Sequence, residues 1–223
     1  MHPYYPLEAA IPGYVANSLS TPAILTIFVT TITAILLPCY LLICHRRPDI
    51  TRVELLTALW FVLCGAIHLG LEGHFALHEG RIAVSSDTLS QLWKEYSLSD
   101  SRYLTRDSFV VSMETITAVF WGPLSFICAY SIVDDRPWRH PLQAVISLGQ
   151  LYGDVLYFAT CAHQEIVFGV AYSRPEMYYY VGYYIFLNSF WIWVPLTLLL
   201  SSTRETTAVF RRIQELDRHA KSR

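Results

Sequence analysis

Residues 23–44 run without a single charged side chain, broken only by Pro38. Lipid offers the backbone no hydrogen-bond partners, so such a stretch crosses a bilayer only as a helix that satisfies its own N–H and C=O groups. A hydrocarbon core of about 30 Å takes about 20 apolar residues in that form. Four more stretches meet or approach the requirement: residues 55–77, 109–133, 142–158 (the shortest) and 178–200. The expectation is an all-α membrane protein, a five-transmembrane-helix bundle. Charged residues make up 15% of the chain and hydrophobic ones 53%; soluble domains carry about 25% charged residues. That balance describes one compact membrane domain, not a soluble enzyme with an anchor. A net charge of −2 leaves no electrostatic footing for nucleic acid.

Two of the apolar stretches carry carboxyls. Glu72 lies in the second, with His68 one turn before it, and Glu114 lies in the third, followed by Thr117 and Trp121. An ionisable side chain at a membrane helix centre costs about 2.5–3.5 kcal/mol on insertion scales, so it is rarely there without a function. His68 and Glu72 are i and i+4, and Glu114 and Thr117 are i and i+3, so each pair shares a helix face. Asn188 and Trp191 repeat the pattern in the fifth stretch. Stripes of this kind must face the bundle interior, where they converge on one cavity. The plain alternative is interhelical hydrogen bonding that only holds the bundle together. Asn188 fits either role. For His68, Glu72 and Glu114 the alternative is weaker, since neutral residues would do that work at less desolvation cost. Asp154, in the fourth stretch, fits a structural bond to a tyrosine and a place in the pocket equally well. The 15 Tyr, 11 Phe and 6 Trp suit membrane interfaces, and equally the walls of a pocket for a flat apolar ligand.

No metal is expected: there is neither an HExxH motif nor the paired ExxH motif of di-iron bundles. The cysteines (Cys39, Cys44, Cys64, Cys128, Cys161) form no CxxC pair and read as small buried hydrophobes. Pro3, Pro6, Pro12 and Gly13, with no basic start and no apolar run, argue against a cleavable signal peptide. The chain divides into an N-terminal segment (1–22), the membrane domain (23–201) and a polar tail (202–223). The connection at residues 78–108 is rich in charge and is expected to form a short helix over the mouth of the bundle. With five spans and a cytosolic C-terminus, eleven basic residues fall on the cytosolic side and five (Arg81, Lys94, Arg102, Arg106, Arg174) on the other, accounting for all 16. The positive-inside rule therefore places the N-terminus in the lumen.

At these positions the chain resembles the emopamil-binding protein family, the sterol Δ8–Δ7 isomerases. The matching blocks are His2-Pro-Tyr4, Cys64-Gly-Ala-Ile-His68-Leu-Gly-Leu-Glu72-Gly, Gln91-Leu-Trp-Lys-Glu-Tyr96 and Asp100-Ser-Arg-Tyr103. They continue with Met113-Glu-Thr-Ile-Thr-Ala118, Trp121-Gly-Pro-Leu124, Gly149-Gln150, Tyr152-Gly-Asp-Val-Leu-Tyr-Phe158, and Asn188 with Trp191 and Pro195. The family pattern often has another aromatic where this chain has His74. The resemblance implies a homodimer of the endoplasmic-reticulum membrane that moves a sterol double bond from C8–C9 to C7–C8. It also implies binding of lipophilic cationic amines as inhibitors. Its functional positions fall on His68, Glu72, Glu114, Thr117, Asn188 and Trp191, with Trp121, Tyr103 and Asp154 as candidate substrate contacts. Relatives of this fold also include lipid-binding proteins and isomerases or cyclases of other terpenoids.

Moving an unactivated alkene takes a strong acid, a base and a shelter for the carbocation between them. Burial supplies an acid that keeps its proton at neutral pH, and the face of Trp191 can stabilise the cation. His68 and Glu72 are expected to be the coupled proton donor and acceptor, with Glu114 held by Thr117 as the second carboxyl and Asn188 orienting a carboxylate or water. No redox or nucleotide cofactor is required.

Overall fold

The computed structural model describes residues 2–222. Met1 and Arg223, the latter among the basic residues counted above, lie outside the described residues. Among the described residues every regular element is helical. The helices are α1 (Thr21–Arg46), α2 (Arg52–His78), α3 (Thr88–Tyr96), α4 (Ser108–Val133), α5 (Arg139–Phe168) and α6 (Tyr178–Lys221). Four of them, α1, α2, α4 and α6, are long and apolar enough to cross a membrane. On α1 the exposed side chains are themselves apolar, including Val29, Leu37, Leu41 and Leu42, a surface suited to lipid rather than water.

The fourth expected span, residues 142–158, lies within α5, a helix of 30 residues. Its length suffices for a bilayer at about 1.5 Å per residue. Its composition is mixed because Gln143, Ser147, Gln150 and Asp154 lie on one stripe, while Val145, Leu148 and Val155 on another are exposed. The helix thus has an apolar outer face and a mixed inner one, where Ile146 and Tyr157 alternate with the polar stripe. The tail continues α6 as helix to Lys221, as a helical extension into water would.

Helix α2 packs along α4 and α1, and α5 packs along α6. Two apolar cores form at opposite ends of the bundle. One gathers Ile43, Phe61, Cys128, Ile132 and Ile146. Beneath it a charged rim ties the helix ends: Arg139 reaches Glu54 at 2.6 Å, and Arg46 reaches Asp134 at 3.0 Å. The Thr51–Glu54 capping box starts α2 at the same end.

The other core gathers Phe75, Trp93, Tyr103, Val110, Tyr157 and Tyr184 and is closed by the 79–107 connection. As expected, that segment forms a short helix, α3, over the bundle. The N-terminal segment is tied onto it. Tyr4 donates to the Lys94 carbonyl (3.1 Å), Asn17 to the Gln91 carbonyl (2.9 Å), and Thr21 to Glu95 (3.1 Å). Burial holds the Glu95 carboxyl above the usual range. Buried Arg102 grips Asp100 at 2.7 Å, donates to Thr160 on α5 at 2.8 Å, and lies over the Tyr157 ring. Removing one partner of a buried pair strands the other charge, at a cost of about 3–5 kcal/mol. Asp100 thus holds Arg102 in place, and Arg102 clamps the connection to α5 through Thr160 and the Tyr157 carbonyl.

Candidate active site

The polar residues lie between the two cores. Along α2, His68 falls between Phe61 and Phe75; along α4, Glu114 falls between Val110 and Cys128; along α5, Gln150 falls between Ile146 and Tyr157. His68, Glu114 and Gln150 are all buried. At this level both α2 and α4 leave α-helical geometry. Ile67–Glu72 and Thr117–Trp121 are π-helical, and the two widened segments pack against each other. A third π segment, Tyr178–Leu187, leads into Asn188. Widened turns of this kind are frequent at functional sites.

Glycine allows the close approach. A Cβ on Gly122 would sit 3.3 Å from the His68 Cβ and 2.8 Å from Leu69, so the bare backbone brings α4 onto α2 beside the histidine. At Gly149 a Cβ would fall 2.3 Å from the Trp121 ring. Trp121 therefore wedges between α4 and α5 beside Gln150.

His68 Nδ1 meets both oxygens of Glu72 at 2.8 Å, the pairing the i, i+4 spacing suggests. The Gln150 amide donates to His68 Nε2 from the opposite side at 3.1 Å. The Glu114 carboxyl is a neighbour of Glu72 and His68. Tyr103 donates to Glu114 Oε1 at 2.7 Å. Burial above all holds the Tyr103 phenol well above its ordinary pKa, so it stays protonated and serves as a donor. Its ring is itself fixed by Trp93 at 4.8 Å and Phe75 at 5.3 Å.

Several expected contacts differ. Thr117 does not hold Glu114: its hydroxyl donates to the Met113 carbonyl one turn back, at 2.7 Å, a local bond that Thr readily makes inside helices. Tyr103, from the capping connection, takes that place. Asn188 meets Tyr96, not a carboxylate. The Tyr96 hydroxyl donates to Asn188 Oδ1 at 3.1 Å, and the Asn188 amide donates to the Tyr184 carbonyl at 2.7 Å. Tyr96 in turn packs edge-on against Tyr103 at 5.4 Å, so Asn188 reaches the acid cluster through two rings. Trp191 lies against Trp60 of α2 with ring centres 5.5 Å apart. Asp154 has Oδ2 buried without a hydrogen-bond partner. Gln150 and Tyr96 were not singled out beforehand. Gln150 was the more visible, as an uncharged polar residue in an apolar stretch one turn before Asp154.

Fold and site define a class: a helical membrane protein with a buried imidazole and two neighbouring carboxyls at mid-bundle. Residues 88–202 match the profile of the EXPERA (EXPanded EBP superfamily) family. The chain is 38% identical over 211 residues to the 3-beta-hydroxysteroid-Delta(8),Delta(7)-isomerase of Mus musculus, covering 93% of this chain and 90% of that protein. It is 36% identical to a probable 3-beta-hydroxysteroid-Delta(8),Delta(7)-isomerase of Arabidopsis thaliana, over 87% of this chain and 84% of that one. It is also 34% identical to protoglabretal synthase of Citrus sinensis, over 74% and 76% respectively. The chain belongs to the EXPERA superfamily.

Proposed function

We propose that this chain is a sterol Δ8–Δ7 isomerase, an intramolecular isomerase that moves a ring double bond by adding one proton and removing another. The observation that carries the reading is the His68–Glu72 pair beside buried Glu114 in the middle of the bundle. The mouse isomerase and the probable isomerase of Arabidopsis, alike over most of both chains, support it. Protonating C9 of a Δ8 sterol leaves a tertiary cation at C8, and loss of a proton from C7 places the double bond at C7–C8. One proton is gained and one lost, so the step needs an acid, a base and shelter from water.

Two carboxyls side by side in an apolar site hold one proton far more readily than two charges. Glu72 receives the His68 ring N–H on both oxygens and is the carboxylate. Glu114, with Tyr103 on one oxygen, carries the proton on the other and delivers it to C9. Glu72 then takes the proton from C7. The cation between them is met by negative charge on Glu72 and by the aromatic faces of Trp191 and Trp60. Thr117 and Asn188 act through their neighbours: Thr117 at the widened turn of α4, Asn188 through Tyr96 and Tyr103. Trp121 and Asp154 border the substrate.

A second reading, isomerisation or cyclisation of another polycyclic terpenoid, draws on the likeness to protoglabretal synthase. The same acid and base generate the same type of cation, and cavity shape then selects the skeleton. A non-catalytic sterol carrier has no use for a buried His–Glu pair. Membranes containing the protein, given a Δ8 sterol in deuterated water, are expected to yield Δ7 product with one deuterium at C9. Conversion of a tetracyclic triterpenoid alone would favour the second reading, and binding without any product would favour the carrier.

We further propose that α5 is a fifth membrane span. It runs from the Arg139–Glu54 rim to the Arg102 contacts at Tyr157 and Thr160, which are the two ends that α2 and α4 also join. An odd number of spans, with basic residues gathered at the Arg46–Arg139 rim, supports a luminal N-terminus and a cytosolic tail. The family resemblance supports residence in the endoplasmic reticulum as a homodimer. A C-terminal tag should be digested by protease outside sealed microsomes; protection until permeabilisation would reverse the orientation.

A further inference from the structure

His68 is held from both sides by different helices. Glu72, on its own helix, occupies Nδ1. Gln150, from α5, reaches Nε2 with its amide nitrogen at 3.1 Å. An amide N–H can only donate, so the ring nitrogen it meets must offer a lone pair. The ring proton is then on Nδ1, where the Glu72 carboxylate accepts it, and the partner of one ring nitrogen sets the state of the other. The arrangement is also graded in depth. The His68 side chain is 2% exposed and the Glu72 side chain 12%, so of the two Glu72 is the more accessible. Gln150 is itself buried, with Trp121 packed on the preceding residue.

We infer that Gln150 is a positioning residue that fixes His68 in the Nδ1–H tautomer, so that the imidazole acts through Glu72 and a Glu72 oxygen, not His68 Nε2, meets the ring carbon. The inference rests on the isomerase reading and deepens it. In the deprotonation step the C7–H bond breaks, its electron pair becomes the C7=C8 π bond, and the proton passes to Glu72. The His68 ring N–H stays hydrogen-bonded to the same carboxyl throughout. An imidazole free to exchange its proton between the two nitrogens would leave Glu72 without that donor part of the time and reduce the catalytic step, not sterol binding.

The test uses the full chain in detergent micelles, with ring-15N-labelled histidine and a Δ8 sterol as substrate. The His68 signals are those lost in His68→Asn. Wild-type protein is expected to show Nδ1 protonated and Nε2 bare. Gln150→Leu is expected to lower kcat about ten- to hundredfold, the weight of a hydrogen bond to a charged system, with KM and lipophilic-amine affinity within about twofold. Gln150→Glu, nearly the same in shape but able only to accept at Nε2 when ionised, is expected to move the ring proton to Nε2 and lose kcat at least as far. A protonated Nε2 in the wild type, or full kcat in Gln150→Glu, overturns the inference. So does a loss of amine binding in Gln150→Leu as large as the loss of kcat, because that marks a packing role. These outcomes leave the isomerase reading standing as long as the wild type turns over the sterol. A wild type with no turnover overturns that reading, and the role of Gln150 falls with it.

Discussion

Glu72→Gln and Glu114→Gln are each expected to lower sterol turnover by about 10²–10⁴-fold, the range general acid–base groups contribute, while the protein still inserts and folds. Each amide keeps the volume and hydrogen-bonding reach of the carboxyl and removes only its proton chemistry. The two losses have different origins. At Glu114 the amide cannot deliver a proton to C9, although Tyr103 can still donate to its oxygen, so the local packing of Tyr103 on Trp93 and Phe75 is retained. At Glu72 the amide oxygen can still accept from His68 Nδ1, but no anion remains to take the C7 proton or face the cation. At Glu72 a neutral isostere also removes the desolvation cost of a charge, and at Glu114 a neutral acid becomes a neutral amide, so stability should stay level or rise. Conversion of a Δ8 sterol in membranes containing matched amounts of each variant measures the effect. Near-normal turnover in both variants would reduce His68, Glu72 and Glu114 to interhelical hydrogen bonding.

The bundle was legible wherever lipid leaves the chain no choice. Uncharged or nearly uncharged runs of bilayer length recur in the structure as helices with ends close to those expected: residues 55–77 within Arg52–His78, and 109–133 within Ser108–Val133. The fourth expected span was harder. Apolarity alone marks residues 142–158, whereas the helix runs from Arg139, which bonds Glu54, to Phe168. The His68–Glu72 pair was legible because it is local: two residues one turn apart on one helix meet whatever surrounds them. The partners of Glu114 and Asn188 were not, because they come from the capping connection. Tyr103 and Tyr96 reach those residues across 11 and 92 positions of sequence, and spacing within one helix carries no information about such contacts. The Thr117 expectation failed for the opposite reason. A threonine in an apolar helix satisfies itself on the carbonyl one turn back before it can serve a neighbour. The π segments are equally invisible in local pattern; two of them meet where Gly122 lets α4 press against His68.

A lipophilic amine that places a protonated nitrogen at the cationic ring carbon is expected to bind at least about 100-fold more tightly than a neutral analogue of the same shape, since catalytic sites hold transition-state mimics about 10²–10⁸-fold more tightly than substrates. The attraction has two sources in this structure. The Glu72 carboxylate faces the charge inside the bundle, where Coulomb attraction is weakly screened. Trp191 and Trp60, packed at 5.5 Å with planes tilted by 53°, present electron-rich faces from α6 and α2, and a cation over a tryptophan face gains about 2 kcal/mol when desolvated. Trp191→Leu retains most of the apolar contact and removes the π face. It should therefore weaken the amine by about 30-fold, the equivalent of 2 kcal/mol, and the neutral analogue by far less. Because Trp60 remains, the loss should stay well short of that in Glu72→Gln, which removes the anion. Competition binding of the two ligands to wild type and both variants separates the terms. Equal affinity of amine and neutral analogue, or equal weakening of both by Trp191→Leu, would mean that the interior is built for an apolar ligand and not for a cation. The carrier reading would then account for the bundle better than the isomerase.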